Sequence, residues 1–227
     1  MKEPKYSIRG VRVVRNKNRM IQTPDLPEQL DSINFTHLTD QSYYEMGAID
    51  SPIGTVHAEH VRFDQIHFRN VTFSETELPY SQWLDVLFDN CDFSGAKLNG
   101  ARFNRVEFRN CKLTGTDFDQ AVMQDATWTN CQAPYVLCNL TAFRDVQFDN
   151  CLLKGANFID ASQDNLQLGT SDIQDVQFTG TSLNNIDLSQ CRFTHIHAGE
   201  QELRGAVIAP EQAAGFIGLF GVKVKDD

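Results

Sequence analysis

The chain has few of the features that mark a membrane, secreted or nucleic-acid-binding protein. Its apolar runs are only a few residues long, and residues 1–20 are basic without an apolar core of signal-peptide length. The sequence therefore predicts neither membrane insertion nor secretion, and it favours a cytoplasmic protein. The net charge is -10, whereas a general nucleic-acid binder needs a basic surface. Six cysteines in a chain of this class are expected to be reduced thiols.

Motifs for catalysis are also missing from the sequence. It has no phosphate-binding loop, no cysteine pairs at metal-ligand spacing and no Ser-His-Asp arrangement, so we predict a protein that is not an enzyme and holds no cofactor. His195 and His197 flank Ile196 and could supply two ligands to a surface metal ion. The alternative is that these histidines are simply solvated.

Phenylalanine, in contrast, is abundant and regularly spaced. From Phe63 to Phe193, every fifth residue is large and apolar at 24 of 27 positions, and 13 of the 16 Phe fall in this phase. The side chain two residues before each of them is usually smaller. This five-residue period excludes an α-helix, in which residues five apart spread around the cylinder, and a long strand, whose side chains alternate.

The spacing fits a chain that runs straight for three residues, points the first and third side chains inward, and then turns a corner. The pair Asn-Cys recurs at 90/91, 110/111, 130/131 and 150/151, so equivalent positions are twenty residues apart, which is four units of five. The predicted coil is therefore four-sided. Such coils must stack on one another to bury their inward side chains.

Segments at residues 96–100 (AKLNG), 101–105 (ARFNR) and 156–160 (ANFID) show the unit well. By these segments the chain resembles the pentapeptide-repeat family, whose unit is A(D/N)LXX. The resemblance implies an all-β solenoid, a right-handed quadrilateral β-helix of roughly seven to eight coils. We assign it to residues 51–208, with a partly irregular N-terminal leader and cap at 1–50 and a C-terminal helix and short strand at 209–227.

The two ends carry less regular sequences. Residues 2–20 hold seven of the 20 Lys and Arg and only one acidic residue, and we interpret them as mobile or as a strand at 11–14, with an electrostatic arm as the alternative. At the other end, Phe216, Ile217 and Phe220 recur at helical spacing. They either cover the last coil or form a homodimer contact, as in related proteins that pair through such elements.

Five cysteines share one inward row. Stacked neighbours about 4.8 Å apart are unsuited to disulfides, and a straight ladder cannot surround zinc, so these are predicted to be small core residues. The row consists of Cys91, Cys111, Cys131, Cys151 and Cys191.

Three inward positions depart from the large apolar pattern. Ala133 and Cys138 are undersized, which predicts a kink or bulge in the rod or, alternatively, a niche for a small ligand. Gln163 places an amide where a ring is expected, and this side chain needs a hydrogen-bonding partner.

The outward side chains are the main candidates for function. Asp85, Asp125 and Asp145 fall in one row, with Asp89 and Asp149 on the adjacent corner, and we select these five as partner-binding residues. The resemblance includes the Qnr and MfpA type of quinolone-resistance proteins, which are thought to imitate duplex DNA and occupy type II topoisomerases. It implies a protein partner and no direct contact with nucleic acid.

The charge supports this hypothesis only in part. Duplex DNA carries one negative charge per about 1.7 Å, while residues 61–200 hold 18 acidic against ten basic side chains. The unbroken repeat also leaves no room for the loops that commonly project from Qnr-type proteins. We therefore predict a non-catalytic interaction protein with a gyrase-like topoisomerase as one candidate partner. The alternative is a small-ligand or metal-binding module at Ala133/Cys138 or the histidine pair.

Overall fold

The computed structural model describes residues 19–33, 38–217 and 219, and the chain winds there as a parallel coil of about seven turns. Its strands form one sheet in sequence order, with every pairing parallel. The predicted solenoid is thereby confirmed. The strands are β1 (Asp31–Ser32), β2 (Tyr43–Ile49), β3 (Arg62–Arg69), β4 (Gln82–Asp89), β5 (Arg102–Arg109), β6 (Val122–Thr129), β7 (Ala142–Asp149) and β8 (Ser162–Gln167).

Each coil has four sides, which we number by their inward residues. Face 1 carries Phe63 and its equivalents every twenty residues, face 2 Phe68, face 3 Phe73 and face 4 Leu78. Faces 1 and 2 are joined within a single eight-residue strand in β3 to β7. Faces 3 and 4 contribute isolated parallel bridges separated by turns.

The core is a stack of rings that runs along the rod. Phe88 lies 5.1 Å from Phe68 and 4.8 Å from Phe108 between ring centroids, and all three side chains are fully buried. Offset stacking of this kind adds to the hydrophobic stabilisation of burial. The six cysteines are free and buried, so the prediction that they are small core residues is confirmed. Their thiols also link coils: Cys111 Sγ donates to the carbonyl of Phe88 at 3.6 Å.

The coil that contains the two undersized residues keeps its pairing. The Ala133 and Cys138 amides donate to the carbonyls of Leu152 and Asn157 at 2.8 Å each, in the register of the neighbouring coils. The expected bulge is therefore wrong. Trp128 explains the pattern, because this larger ring belongs to the same coil, is fully buried and lies 4.8 Å from Phe108.

The first strand of the solenoid begins earlier than residue 51. Within the segment interpreted as irregular, β2 pairs with β3, and Tyr44 stacks on Phe63 with ring centroids 5.6 Å apart. The pairing joins residues nineteen apart, as in Tyr44↔Phe63 and Ile49↔Phe68. This offset puts Tyr44 and Ile49 out of phase with the later repeats, although they keep the spacing of five.

The C-terminal end has short helical elements. Helix α1 (Glu200–Leu203) interrupts the repeat, and Glu202 accepts a hydrogen bond from the Gly199 amide at 2.9 Å, which stabilises the first turn. A 3-10 turn (Pro210–Gln212) and helix α2 (Ala214–Ile217) follow. None of the helices in the described ranges is long and apolar enough to span a membrane.

Candidate interaction surfaces

A row of polar side chains follows the bend between faces 1 and 2, and we name it the trough. The backbone of each trough residue adopts a left-handed conformation, for example φ 53° at Asp125, which turns its side chain away from the core. From here on we restrict the name leader to residues 19–28, which contain no helix or strand and lie across this row. The trough consists of Gln65, Asp85, Arg105, Asp125, Asp145 and Asn165.

Arg19 of the leader binds two trough carboxylates. Its Nη2 lies 2.7 Å from Asp125 Oδ2 and its Nη1 lies 3.3 Å from Asp145 Oδ2. The Gln22 amide donates to the other oxygen of Asp125 at 3.1 Å. Asp125 is 1% and Asp145 8% exposed, so both carboxylates are held beneath the leader with hydrogen-bonding partners.

The lower part of the trough is neutralised by its own arginine. Arg105 donates from Nε to Asp85 Oδ1 at 2.6 Å and from Nη2 to the second oxygen, and this bond to Asp85 raises the pKa of Arg105. The Asp25 amide donates to Asp85 at 2.9 Å, while Gln65 Nε2 donates to the Asp25 carbonyl at 2.8 Å. Asp85 is 5% exposed.

The structure thus separates the five predicted partner-binding residues into two groups. Asp85, Asp125 and Asp145 lie under the leader, whereas Asp89 and Asp149 are half-buried at the corner between faces 2 and 3. Sequence reasoning missed the leader contact because Arg19 and Asp125 are 106 residues apart. The available signal was the opposite charge of the two segments. The strand considered at 11–14 lies outside the described residues.

Beyond Asp145, towards the C-terminal coils, the trough opens into a cleft of about 1340 Å³ that is lined mainly by polar residues. The sheet ends here at β8, and the Gln163 side-chain amide donates to the carbonyls of Ser182 and Asn184 at 3.2 and 3.3 Å. The amide at this inward position therefore has the partners it needs. It joins β8 to the next coil where the strand pairing stops.

Faces 3 and 4 carry three exposed, large apolar side chains on two neighbouring coils, which we name the Tyr135 patch. Tyr135 is 60% exposed, Leu140 59% and Leu152 38%, on neighbouring coils. The sequence analysis missed it, although Tyr135 and Leu140 occupy corners at which the other coils, apart from Tyr80, have glycine or a polar residue. The Tyr135 ring also packs over Gly155. A Cβ added at Gly155 would lie only 2.7 Å from this ring, so a glycine is needed for the ring to pack there.

Neither the histidine pair considered as a metal site nor the Ala133/Cys138 position considered as a ligand niche has the surroundings that such a site needs. His195 and His197 are in edge contact, with ring centroids 4.6 Å apart, and within the described ranges no three metal-ligating side chains gather around one point. Ala133 and Cys138 are fully buried, and burial raises the pKa of the Cys138 thiol. A deeply buried, protonated thiol is a poor nucleophile and a poor metal ligand.

At the C-terminal end, Phe216 packs on the last coil. Its ring centroid lies 5.8 Å from that of Phe193, and a hollow of about 280 Å³ beside it is bordered by Leu203 and Leu219. Ile217 is exposed, and Phe220 lies outside the described residues. The contact of Phe216 with Phe193 is what a cover over the last coil requires.

Comparison with solved structures finds similar chains of low sequence identity. A trypsin-treated variant of QnrB1, a plasmid-mediated fluoroquinolone resistance protein, is 16% identical, with 84% of this chain and 100% of that chain covered and a TM-score of 0.41. HetL, involved in heterocyst differentiation regulation in the cyanobacterium Nostoc sp. strain PCC 7120, is 15% identical, with 78% and 92% covered and a TM-score of 0.42. No curated protein matches the chain.

Family models match the repeats directly. The model described as "Pentapeptide repeat region" matches residues 81–158 and 101–178, and "Pentapeptide repeats (8 copies)" matches residues 171–195. Together the matches span 81–195, just over half of the chain, within the four-sided coil described above. The chain belongs to the pentapeptide-repeat family.

Proposed function

We propose that the protein is a non-catalytic interaction module that binds a macromolecular partner through the outer faces of its rod. The observation that carries this proposal is the Tyr135 patch. Large apolar side chains exposed on neighbouring coils of a rigid surface are typical of protein interfaces, in which aromatic residues are enriched. The interior is filled by stacked rings, so the outer faces are where binding chemistry is available.

The surroundings of the patch favour a protein partner. Leu137, on face 4, is half-buried between Tyr135 and Leu140, and it pairs with Asp117 of the coil below. Burial raises the pKa of the Asp117 carboxyl. An apolar centre bordered by the Asp117 carboxyl group matches the composition of a protein interface core and rim.

The more specific proposal is that the partner is a type II topoisomerase. It is supported by the family's Qnr-type members, by the net charge of -10 and by Asp89 and Asp149, which the leader leaves uncovered. A negatively charged surface would steer association with a basic DNA-binding channel. Asp85, Asp125 and Asp145 lie under the leader and are paired with arginines, so they add little to the negative potential of this surface.

A supercoiling assay tests the topoisomerase proposal. Purified gyrase is assayed with and without the protein, in the presence and absence of a quinolone. We expect inhibition or drug protection at micromolar protein, and its loss in a Tyr135→Ser, Leu140→Ser double variant. Val207→Ser is the matched control, because Val207 is exposed but lies away from the patch. Unchanged gyrase activity under all of these conditions would exclude gyrase as the partner.

The broader proposal has its own test. A photoreactive amino acid at Leu152 should give discrete cross-linked products in an extract of the host, and the same group at Val207 should not. Indistinguishable products at both positions would contradict binding through the Tyr135 patch, whatever gyrase does.

A homodimer through the C-terminal element is a separate proposal, supported by the exposed Ile217 and Leu219 beside the apolar hollow. Light scattering at several concentrations should show a dimer for the wild type and a monomer for an Ile217→Ser, Leu219→Ser variant. A concentration-independent monomer for the wild type would exclude it.

A further inference from the structure

We propose that the trough is a binding site for an extended peptide segment bearing an arginine, and that leader residues 19–25 are its built-in occupant. The proposal goes beyond the interaction function above, because it assigns a ligand class to faces 1 and 2, away from the Tyr135 patch. It concerns the chemistry of the trough and does not depend on the identity of any partner.

The contacts define what the trough recognises. One guanidinium reaches Asp125 and Asp145 together, and the amide three residues later, at Gln22, donates to Asp125. The amide six residues later, at Asp25, donates to Asp85. The two amide contacts are available to any extended chain, so the arginine is the feature that selects the ligand.

The charge order within the trough explains why an arginine is needed. From Asp85 upward the row reads Asp, Arg, Asp, Asp, Asn, so Asp85 pairs with Arg105 while Asp125 and Asp145 are successive carboxylates. Coils stack about 4.8 Å apart, and carboxylates at that spacing repel unless a cation lies between them. Asn165 offers Asp145 only an amide, at 2.9 Å. Arg19 supplies the missing charge.

A lysine would serve this position less well. The two terminal nitrogens of Arg19 bind different carboxylates, at 2.7 and 3.3 Å. The ammonium of lysine is a single point charge that lacks this planar, two-armed geometry. The trough should therefore prefer arginine over lysine.

The space beyond Arg19 leaves room for a longer ligand. The cleft of about 1340 Å³ continues the trough past Asp145 towards Asn184 and Asp187. The leader shares one chain with the trough, so its effective concentration is on the order of millimolar. A segment supplied by another molecule must compete with it, and weakening the leader should expose the site.

Fluorescence anisotropy with full-length protein tests the proposal. The probe is a labelled peptide of residues 17–28 (KNRMIQTPDLPE), with Arg19→Lys and Arg19→Gln versions. We expect the Arg19→Ala protein to bind the native peptide about fivefold more tightly than the wild type does, because the competing leader is weakened by about 1 kcal/mol at that ratio. The lysine peptide should bind less tightly and the glutamine peptide least.

Two matched variants locate the site. Adding Asp125→Asn to the Arg19→Ala protein should reduce peptide affinity about tenfold, whereas Asp160→Asn, an exposed left-handed corner residue between faces 4 and 1, should leave it unchanged. If circular dichroism shows that the Asp125 variant is misfolded, Asp145→Asn takes its place. Equal binding by wild-type and Arg19→Ala protein, equal binding of the three peptides, or an equal effect of Asp160→Asn would each overturn the proposal.

Discussion

Faces 1 and 2 differ from faces 3 and 4 although one five-residue unit builds all four. The first pair is joined by a bend inside long strands, and its corner carries charged side chains covered by the leader. The second pair has isolated bridges, and its corners carry glycine or side chains exposed to solvent, such as Tyr135, Leu140 and Asp160. The inward pattern thus determines the coil, while the corner residue determines which surfaces are covered and which stay open.

The backbone at the corners does not cause this difference. Asp85, at the bend between faces 1 and 2, has a φ of 53°, and Gly95 and Gly100, around face 4, have a φ of 68°. All three lie in the left-handed region, which glycine adopts without steric cost and aspartate tolerates better than most residues. What distinguishes the bend is that its side chains hold a segment from a distant part of the sequence.

The largest effect should be common to both pairs of faces. Phe108→Ala on face 2 and Phe118→Ala on face 4 each remove a fully buried ring, and each should lower the free energy of unfolding by about 3–5 kcal/mol. Guanidinium denaturation of both variants measures the losses. If the free energies of unfolding of the two variants differed by more than about 2 kcal/mol, the two sides of the core would not be equivalent.

The next effect concerns a corner of faces 3 and 4. Gly155→Ala combines an unfavourable left-handed φ of 66° with a Cβ only 2.7 Å from the Tyr135 ring. Gly95→Ala has a similar φ and nothing within 4 Å of the new Cβ. We expect a cost of about 1 kcal/mol for Gly95→Ala and about 1 kcal/mol more for Gly155→Ala.

Thermal denaturation of both glycine variants checks this difference. Adding Tyr135→Ser should bring the Gly155 variant to the level of the Gly95 variant, because the ring no longer meets the new methyl group. An unchanged gap in the double variant would mean that the strain arises elsewhere.

A smaller effect should come from the leader on faces 1 and 2. Arg19→Ala should lower the free energy of unfolding by about 1 kcal/mol, since the ion pair is half exposed on the arginine side. Arg204→Ala is the control, because its pair with Glu200 is exposed at both ends and should contribute little. Urea denaturation compares the two variants. Equal losses would indicate that the covered carboxylates do not strengthen the leader contact.

Much of the fold could be predicted from the sequence. The remainder depends on contacts between residues that do not follow the five-residue repeat. Phe88, Phe108 and Phe148 identify the stacked core because each repeats the same environment twenty residues later. Tyr44 and Ile49 keep the spacing of five but were missed, since β2 pairs at an offset of nineteen. The compensation of small residues by Trp128 was also missed, because it acts between faces.

The surfaces were the hardest part to predict. The carboxylates at the bend were identified as outward-facing, but a repeat does not reveal that Arg19 returns to cover Asp125 and Asp145. That contact depends on where an irregular segment runs, and no position of the repeat encodes this path. Tyr135 and Leu140, like Tyr80, place an exposed apolar side chain at a corner where most coils have glycine or a polar residue, and this departure was the available signal.

The smallest expected effect is a pH dependence on the leader side of the rod, at His67. This outward residue of β3 on face 2 is half-buried, and burial, helped by the charge of Arg69, lowers the pKa of its imidazole below the usual 6.5. The unfolded chain therefore binds this proton more readily than the folded protein, so the stabilisation is complete above about pH 6.5 and declines as the pH falls below it. Urea denaturation at about pH 7.5 and about pH 5.5 should show a larger loss for the wild type than for His67→Gln. An equal loss in both proteins would assign the pH dependence to groups other than His67.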